Sequence, residues 1–278
     1  MKFNKLLFGT AGIPTSTPER NTINGIKQVK KLGLESMEIE FVRSVNVSSE
    51  VAPVIKKTAE QEGITLTCHG QYFVNLNGEK ATVEASKKRI LEACRRCEEA
   101  GVWSICYHIA YYMKQDPEKV YKNVKKNVKE IVKILQNEGI KLWLRPETGG
   151  KISQFGDLKE LIKLSQDVEQ VLPCIDWAHH HSRSLGKFNT YKEFAYILEE
   201  IEKGLGKEAL QKMHCHAEGI RYGDTGEREH LNLKESDMNY KDMIKAWKDF
   251  KIKGVITCES PNIEEDALMM KKIYEGLK

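Results

Sequence analysis

The chain has 278 residues, of which 40% are hydrophobic and 30% are charged, so it can bury a large core and is not a disordered protein. Its 44 basic and 40 acidic residues leave a net charge of +4, which neither requires nor excludes an anionic partner such as DNA. No run approaches the roughly 18 apolar residues of a membrane span, and the start leads into a strand-like segment without a signal peptide, so we expect a cytoplasmic protein without a membrane partner.

Apolar strand-like runs and charged helical runs alternate eight times along the chain. The predicted strands are 6–10, 36–41, 64–69, 102–108, 140–147, 171–176, 212–216 and 254–259, and we predict a helix after each. The first four helices are predicted at 18–32, 48–62, 79–100 and 117–138, and each is followed by a glycine suited to a C-terminal cap: Gly33, Gly63, Gly101 and Gly139. Such β-then-α units without a long linker predict parallel strands closed as one (β/α)8 barrel, a TIM barrel spanning residues 1–278. The alternative is an open, doubly wound sheet, but a GxGxxG motif is missing after the first strand.

Seven scattered cysteines in a chain of this length do not suggest a disulfide framework. Cys94 and Cys97 form a CxxC inside a predicted helix, where small buried residues are the expected reading. Strand alternation predicts that Cys106 and Cys174 face the barrel interior, and that Cys68 and Cys258 face the helices.

Six predicted strands end in side chains that bind metals. They are His69, His108, Glu147, Asp176, His214 and Glu259. The carboxyl ends of barrel strands form one rim, and the active site lies there. A lone histidine at a strand end is often a hydrogen-bonded scaffold residue, but three carboxylates on one rim would repel each other without a cation between them. The pattern therefore predicts bound divalent metal, and more than one ion.

His179 follows Asp176 by three residues, just after the sixth predicted strand. A carboxylate and an imidazole directed into one site are ligands that zinc or manganese prefers. The alternative is a capping aspartate followed by solvated histidines.

Short motifs occur in one order along nearly the whole chain: CHGQYFVNL at 68–76, YH at 107–108, PETGG at 146–150, IDWAH at 175–179, MH at 213–214, EH at 229–230 and CESP at 258–261. Together they resemble endonuclease IV, a family of apurinic/apyrimidinic endonucleases built on a xylose isomerase-like TIM barrel. The resemblance implies a zinc-dependent phosphodiesterase of DNA repair. Such an enzyme binds double-stranded DNA, hydrolyses the phosphodiester 5′ to an abasic site and leaves a 3′-hydroxyl, and we expect it to be a monomer.

The resemblance also implies a set of metal ligands for two or three zinc ions, with manganese as the alternative. One ion would be held by His69, His108 and Glu147, a second by Glu147, Asp176, His214 and Glu259, and a third by His179 and His230. Glu147 would bridge two ions and act as the catalytic proton acceptor.

The chain departs from the family at the third ion, because Arg228 stands where the family has an aspartate two residues before the last histidine. Either Glu227 or Glu229 could replace that aspartate, or the third ion is weak or missing. His216 is expected beside the ligands or as a ligand itself.

Contacts with DNA follow from the same resemblance. Tyr72, followed by Phe73, matches the aromatic side chain that the family pushes into the duplex, although ordinary loop packing is the alternative. Arg43 is the nearest match to an inserted arginine. Basic residues on predicted rim loops are candidates for phosphate contacts: Lys151, Arg183, Lys187, Arg221 and Arg228.

Two other functions are compatible with the sequence. Sugar isomerases and epimerases on this barrel use one or two divalent metals held by Glu, Asp and His at the same rim. A DNA-binding relative without catalysis is the second alternative, and Arg228 is the only feature that favours it. The histidine-rich ligand set and the loop of Tyr72 favour the nuclease.

Overall fold

A computed structural model describes residues 2–277 of the chain. Its strands are β1 Leu6–Ala11, β2 Ser36–Glu40, β3 Thr65–His69, β4 Ser104–Tyr107, β5 Trp143–Pro146, β6 Cys174–Asp176, β7 Met213–Ala217, β8 Gly219–Gly223, β9 Gly226–Leu231 and β10 Gly254–Cys258. Its α-helices are α1 Thr22–Lys31, α2 Ala52–Glu62, α3 Lys80–Glu99, α4 Pro117–Asn137, α5 Leu158–Asp167, α6 Trp177–Arg183, α7 Tyr191–Leu205, α8 Lys207–Leu210, α9 Tyr240–Asp249 and α10 Glu264–Gly276.

Eight of the strands form one parallel sheet in the order β5-β4-β3-β2-β1-β10-β7-β6. Its two end strands meet through parallel bridges that join Leu144 to Val171 and Glu147 to Cys174. The sheet is therefore a nearly closed (β/α)8 barrel, as the sequence predicts, and the open-sheet alternative is wrong.

The helices cover the barrel because their apolar residues recur on one face. Helix α4 illustrates the pattern: Asp116 caps its first turn, and Val124, Val128 and Ile131 are fully buried three or four residues apart. Helix α2 ends at Gly63, whose φ of 67° lies in the left-handed region that favours glycine. The lysines between these apolar residues remain on the outer face.

A helix is predicted after the seventh strand, and α9 does follow β7, but the segment between them was not predicted. The chain first forms an antiparallel hairpin of β8 and β9, then a short 3-10 helix at Leu233–Glu235, and only then α9. Gly226 has φ 98° and pairs with Lys151, and a Cβ at Gly226 would lie 2.2 Å from the carbonyl oxygen of Gly150. This close approach holds the hairpin against the loop that follows β5, at the carboxyl rim.

The opposite end of the barrel contains a buried arginine. Arg145 is 1% exposed, donates to the backbone oxygens of Pro173 and Lys212 at 3.1 and 2.6 Å, and lies 4.8 Å from the ring centre of Trp103. These contacts tie β5 to the starts of β6 and β7.

Cys106 faces the barrel interior, as strand alternation predicts. All seven cysteines, each within the described residues, are buried and free. The thiol of Cys106 lies 3.6 Å from a ring nitrogen of His216 inside the barrel. Among residues 2–277, no helix is long and apolar enough to cross a membrane.

Candidate metal centre

Glu147 stands at the middle of the carboxyl rim, directly after β5, and its side chain is 1% exposed. Its Oε2 lies 3.2 Å from Nε2 of His69. Its Oε1 lies 3.3 Å from Nδ1 of His216, 3.4 Å from Nδ1 of His179 and 3.7 Å from Nε2 of His108. Burial opposes its ionisation, but His108 and His216 outweigh burial and hold the pKa of Glu147 well below its usual range. The residue is therefore a carboxylate surrounded by imidazoles.

Backbone carbonyls orient two of these imidazoles. Nδ1 of His69 donates to the carbonyl oxygen of Gly70 at 2.8 Å, and Nδ1 of His179 donates to that of Thr148 at 2.9 Å. Because a carbonyl oxygen can only accept, the metal-binding tautomer of each ring carries its free lone pair on Nε2. Nε2 of His179 is buried without a hydrogen-bond partner among the described residues.

The same carboxylates control the protonation of these histidines. Burial disfavours the charged form of His69, but the contact with Glu147 outweighs it and raises the pKa of His69 to about 10. Burial likewise disfavours charge on His179, and Asp176 and Glu147 raise its pKa to about 10. His108 differs, because burial lowers its pKa to about 4. A bound cation would take the place of the protons on His69 and His179.

A second group of ligands lies beside the first. One ligand atom from each of Glu147, Asp176, His216 and Glu259 falls within 4.8 Å of all the others. Asp176 ends β6 and caps α6 by accepting the backbone N–H of His179 at 2.6 Å, while its Oδ2 is buried without a partner among the described residues. Burial, together with Glu147 and Glu259, raises the pKa of Asp176 to about 6. This excess of negative charge fits a divalent cation.

His214 does not stand at the end of its strand, contrary to the prediction. It is the second residue of β7, not its last, and it is fully buried. Its Nδ1 and Nε2 lie 2.8 Å from the hydroxyl of Ser104 and 2.7 Å from Oε2 of Glu38. His216, one pleat closer to the rim on the same face, is the histidine of this strand that approaches Glu147 and Glu259.

Sequence reasoning missed two glutamates of β2. Glu38 is fully buried beneath His216, and Glu40 lines the central cavity at the end of the strand. Burial and the charge of Glu38 raise the pKa of Glu40 to about 8. The signal was present in the sequence, because two glutamates spaced by two in a buried run must face the same side of the strand.

Some polar residues of the hairpin reach the rim and others point away from it. Nε2 of His230 lies 3.8 Å from Oε1 of Glu227, and Oε2 of Glu227 lies 3.5 Å from Nε2 of His179. Glu229 points away and pairs with Arg221 at 2.6 Å, so it does not join the cluster. Glu218, which the sequence analysis did not single out, is fully buried with an oxygen 4.0 Å from Nε2 of His230.

A cavity of about 420 Å³ opens above these ligands. Tyr72 stands at its wall, 49% exposed, and the neighbouring Phe73 is 60% exposed. Lys151 also lines the cavity. The other basic candidates differ in availability: Arg183 donates from Nη1 to the backbone oxygens of Gly149, Lys151 and Gln154, Arg221 pairs with Glu229, and Arg43, Lys187 and Arg228 are exposed.

The donor set fits divalent metal ions. Several buried oxygens and nitrogens of this cluster have no hydrogen-bond partner among the described residues: Oδ2 of Asp176, Nε2 of His179, Nδ1 of His108, Oε1 of Glu40 and both oxygens of Glu218. Unpaired buried polar atoms are costly, and imidazole and carboxylate donors suit zinc and manganese.

Comparisons with known proteins agree with this architecture. The family model described as "Xylose isomerase-like TIM barrel" matches residues 26–274. The chain is 41% identical over 273 residues to an uncharacterised protein of Methanocaldococcus jannaschii, covering 98% of each. It is 24% identical over 216 residues to a probable endonuclease 4 of Aquifex aeolicus, covering 74% of this chain and 76% of the relative.

Two solved structures share the fold. A D-tagatose 3-epimerase-like protein matches with TM-score 0.73 and 18% identity, covering 97% of this chain and 96% of that one. Endonuclease IV of Thermus thermophilus matches with TM-score 0.73 and 17% identity, covering 96% of this chain and 97% of that one. The equal scores show the fold without separating the two activities. With 249 consecutive positions of the chain, 26 to 274, covered by the family model, the chain belongs to the xylose isomerase-like TIM barrel family.

Proposed function

We propose that the protein is a zinc-dependent endonuclease that hydrolyses the DNA phosphodiester 5′ to an abasic site and leaves a 3′-hydroxyl. The observation that carries the proposal is the position of Glu147, whose two oxygens face four histidines at 3.2 to 3.7 Å beneath a cavity flanked by exposed aromatic side chains. The curated relative named probable endonuclease 4 supports it.

The ligand set has places for more than one ion. His69, His108 and Glu147 would hold one, and Glu147, Asp176, His216 and Glu259 a second. His216 replaces His214 in this assignment because only His216 reaches the rim. Zinc at such a centre supplies Lewis acidity and lowers the pKa of water, which is the chemistry that phosphodiester hydrolysis requires.

The side chains of this chain then have separate tasks. Glu147 remains ionised and accepts a proton at Oε1 or Oε2 from the attacking water. The water oxygen forms a bond to phosphorus as the bond between phosphorus and O3′ breaks. O3′ takes up a proton from solvent to become the 3′-hydroxyl, and the phosphate stays on the 5′ side of the abasic nucleotide. Glu259 lies 3.5 Å from Nδ1 of His216, and Asp176 and Glu259 supply negative charge that balances the positive charge at the rim.

Features of the rim fit a DNA substrate. Tyr72 and Phe73 are 49% and 60% exposed on the loop after β3, where aromatic rings can wedge or stack in a duplex. An abasic nucleotide has no base to unstack, so turning it into the cavity costs little. Lys151 at the cavity wall can contact a phosphate.

Epimerisation of a sugar is the second candidate. The equal structural similarity to a D-tagatose 3-epimerase-like protein favours it, as does the carboxylate-rich group of Glu147, Asp176, His216 and Glu259. A sugar would bind in the cavity and would not account for the exposed ring of Phe73, which does not line it.

The test is incubation of the zinc-loaded protein with a duplex that carries one abasic-site analogue, beside an intact duplex of the same sequence. We expect a single incision 5′ to the lesion with a 3′-hydroxyl product, lost after chelation and in Glu147→Gln. Glu229→Gln is the matched control, because that glutamate lies outside the cluster. Absence of incision by the zinc- or manganese-loaded protein would refute the proposal. Conversion of a ketose to its epimer would then establish the alternative.

A further inference from the structure

Glu218 is a buried carboxyl side chain that receives no hydrogen bond from the described residues. It lies between β7 and β8, its residue is 0% exposed, and neither of its oxygens has a hydrogen-bond partner among the described residues. A buried, unpaired carboxylate is strongly unfavourable unless a positive charge lies beside it. No lysine or arginine within the described residues forms an ion pair with Glu218, so this carboxyl is either protonated or balanced by a bound cation.

Two imidazole nitrogens face this carboxylate. One ligand atom from each of Glu218, His179 and His230 lies within 4.8 Å of the other two. Nδ1 of His179 donates to the carbonyl of Thr148 at 2.9 Å and Nδ1 of His230 to that of Glu259 at 3.4 Å, which leaves Nε2 of both rings as the lone-pair donor. Tetrahedral zinc with bonds of about 2.0–2.2 Å separates its ligand atoms by roughly 3.3–3.6 Å, so modest side-chain rotation brings the three into its coordination range.

Glu227 is the competing carboxylate, and its environment differs. Its side chain is 16% exposed, lies on the hairpin and lines the open cavity, 3.5 Å from Nε2 of His179. Water can solvate a carboxylate at the cavity wall, so Glu227 can stay ionised without a bound metal. Glu218 is fully buried and cannot. Glu227 therefore borders the side from which solvent and substrate approach.

We infer that Glu218, His179 and His230 together bind a metal ion. Glu218 would take the role of the family's aspartate, because this chain has Arg228 at the position of that aspartate. The ion would be zinc or another divalent metal that accepts mixed nitrogen and oxygen donors. The inference rests on the metal centre of the proposed function, but it does not depend on DNA as the substrate. In this arrangement the carboxylate ligand of the third metal site, Glu218, belongs to the barrel, and the hairpin contributes His230.

The experiment counts zinc in the intact protein. Wild type, Glu218→Gln, Glu227→Gln and Glu229→Gln are dialysed against the same zinc buffer, and zinc per chain is measured by mass spectrometry. We expect Glu218→Gln to retain one zinc ion fewer than wild type, and Glu229→Gln to match wild type. His230→Gln should lose the same ion, and the double variant should lose no more than either single variant.

Thermal unfolding with and without chelator shows whether each variant is folded. Glu218→Gln replaces a buried side chain that has no hydrogen-bond partner among the described residues by a neutral amide of nearly the same shape, so without metal it should melt no lower than wild type, while its gain in melting temperature on adding zinc should be smaller. Unchanged zinc content and an unchanged zinc-induced shift in Glu218→Gln would overturn the inference. Loss of the ion in Glu227→Gln alone would overturn it in favour of Glu227. If wild type holds this ion through Glu218 but does not cut the lesion duplex, the proposed nuclease fails and this inference stands.

Discussion

Oε1 of Glu38 lies 2.9 Å from Nε2 of His216, deep in the barrel, while Nδ1 of the same ring faces the rim carboxylates. Burial opposes ionisation of Glu38, but His216 and His214 hold its pKa well below the usual range. Glu38 is thus a buried anion that fixes the orientation of the histidine above it. Carboxylates in this position behind a metal-binding histidine strengthen metal binding.

Replacing Glu38 with glutamine should weaken zinc binding without removing a ligand. We expect a loss of about 10- to 100-fold in zinc affinity, measured by competition with a chromogenic chelator. Ser104→Ala, which alters only the far side of His214, is the control and should bind zinc as wild type does. Equal affinity in Glu38→Gln and wild type would show that Glu38 does not act through His216.

Replacing Phe73 with alanine should weaken binding to lesion DNA and leave the metals in place. An aromatic ring that stacks or wedges in nucleic acid contributes about 1–3 kcal/mol, so affinity should fall by roughly 5- to 150-fold. The measurement is fluorescence anisotropy with a labelled abasic duplex in the presence of zinc. Phe73 is 60% exposed, and Phe73→Tyr should keep most of the affinity because it retains the ring. If Phe73→Ala bound the abasic duplex as tightly as wild type, Phe73 would serve only in packing of the loop.

The stability of the metal-free protein should decrease as pH rises. The pKa values of His69 and His179 are raised from 6.5 to about 10, so both stabilise the folded state fully below about pH 6.5 and lose that contribution as pH approaches about 10. Zinc displaces these protons, so its stabilising effect should grow over the same interval. Melting temperatures in chelator and in zinc, taken as a pH series, check both trends. If the metal-free protein became more stable between about pH 6.5 and pH 10, the raised pKa values of His69 and His179 would be wrong.

Replacing Arg145 with methionine should affect the fold and spare the rim. The change removes the donors to Pro173 and Lys212 while keeping much of the apolar stem, so we expect a loss of about 1–3 kcal/mol in the free energy of unfolding. Urea unfolding measures the loss, and zinc content per chain is the internal control. A fall in zinc content at full folding would show that the two ends of the barrel are coupled.

The sequence predicted the barrel because strand alternation and the helix-ending glycines are local signals. His69 and Asp176 stand at strand ends, as predicted, because each closes an apolar run. His214 and His216 could not be separated in this way, since residues two apart on a strand face the same side and the pattern carries no information about depth. The hairpin was missed because Gly219–Leu231 is short and charged, and its place is set by the close approach at Gly226, a contact distant in sequence.

The attachment of this hairpin divides the metal centre into two parts of different origin. Glu147, Asp176, His216 and Glu259 sit on or beside barrel strands, whereas His230 and Glu227 lie on an inserted hairpin that pairs with the loop after β5 at Gly226 and packs against α6. The barrel strands and the residues that follow them supply the other candidate ligands, Glu218 included, and the hairpin adds His230. Changes in the length or sequence of this segment would therefore alter how many ions the rim could hold while the eight-stranded scaffold stays the same.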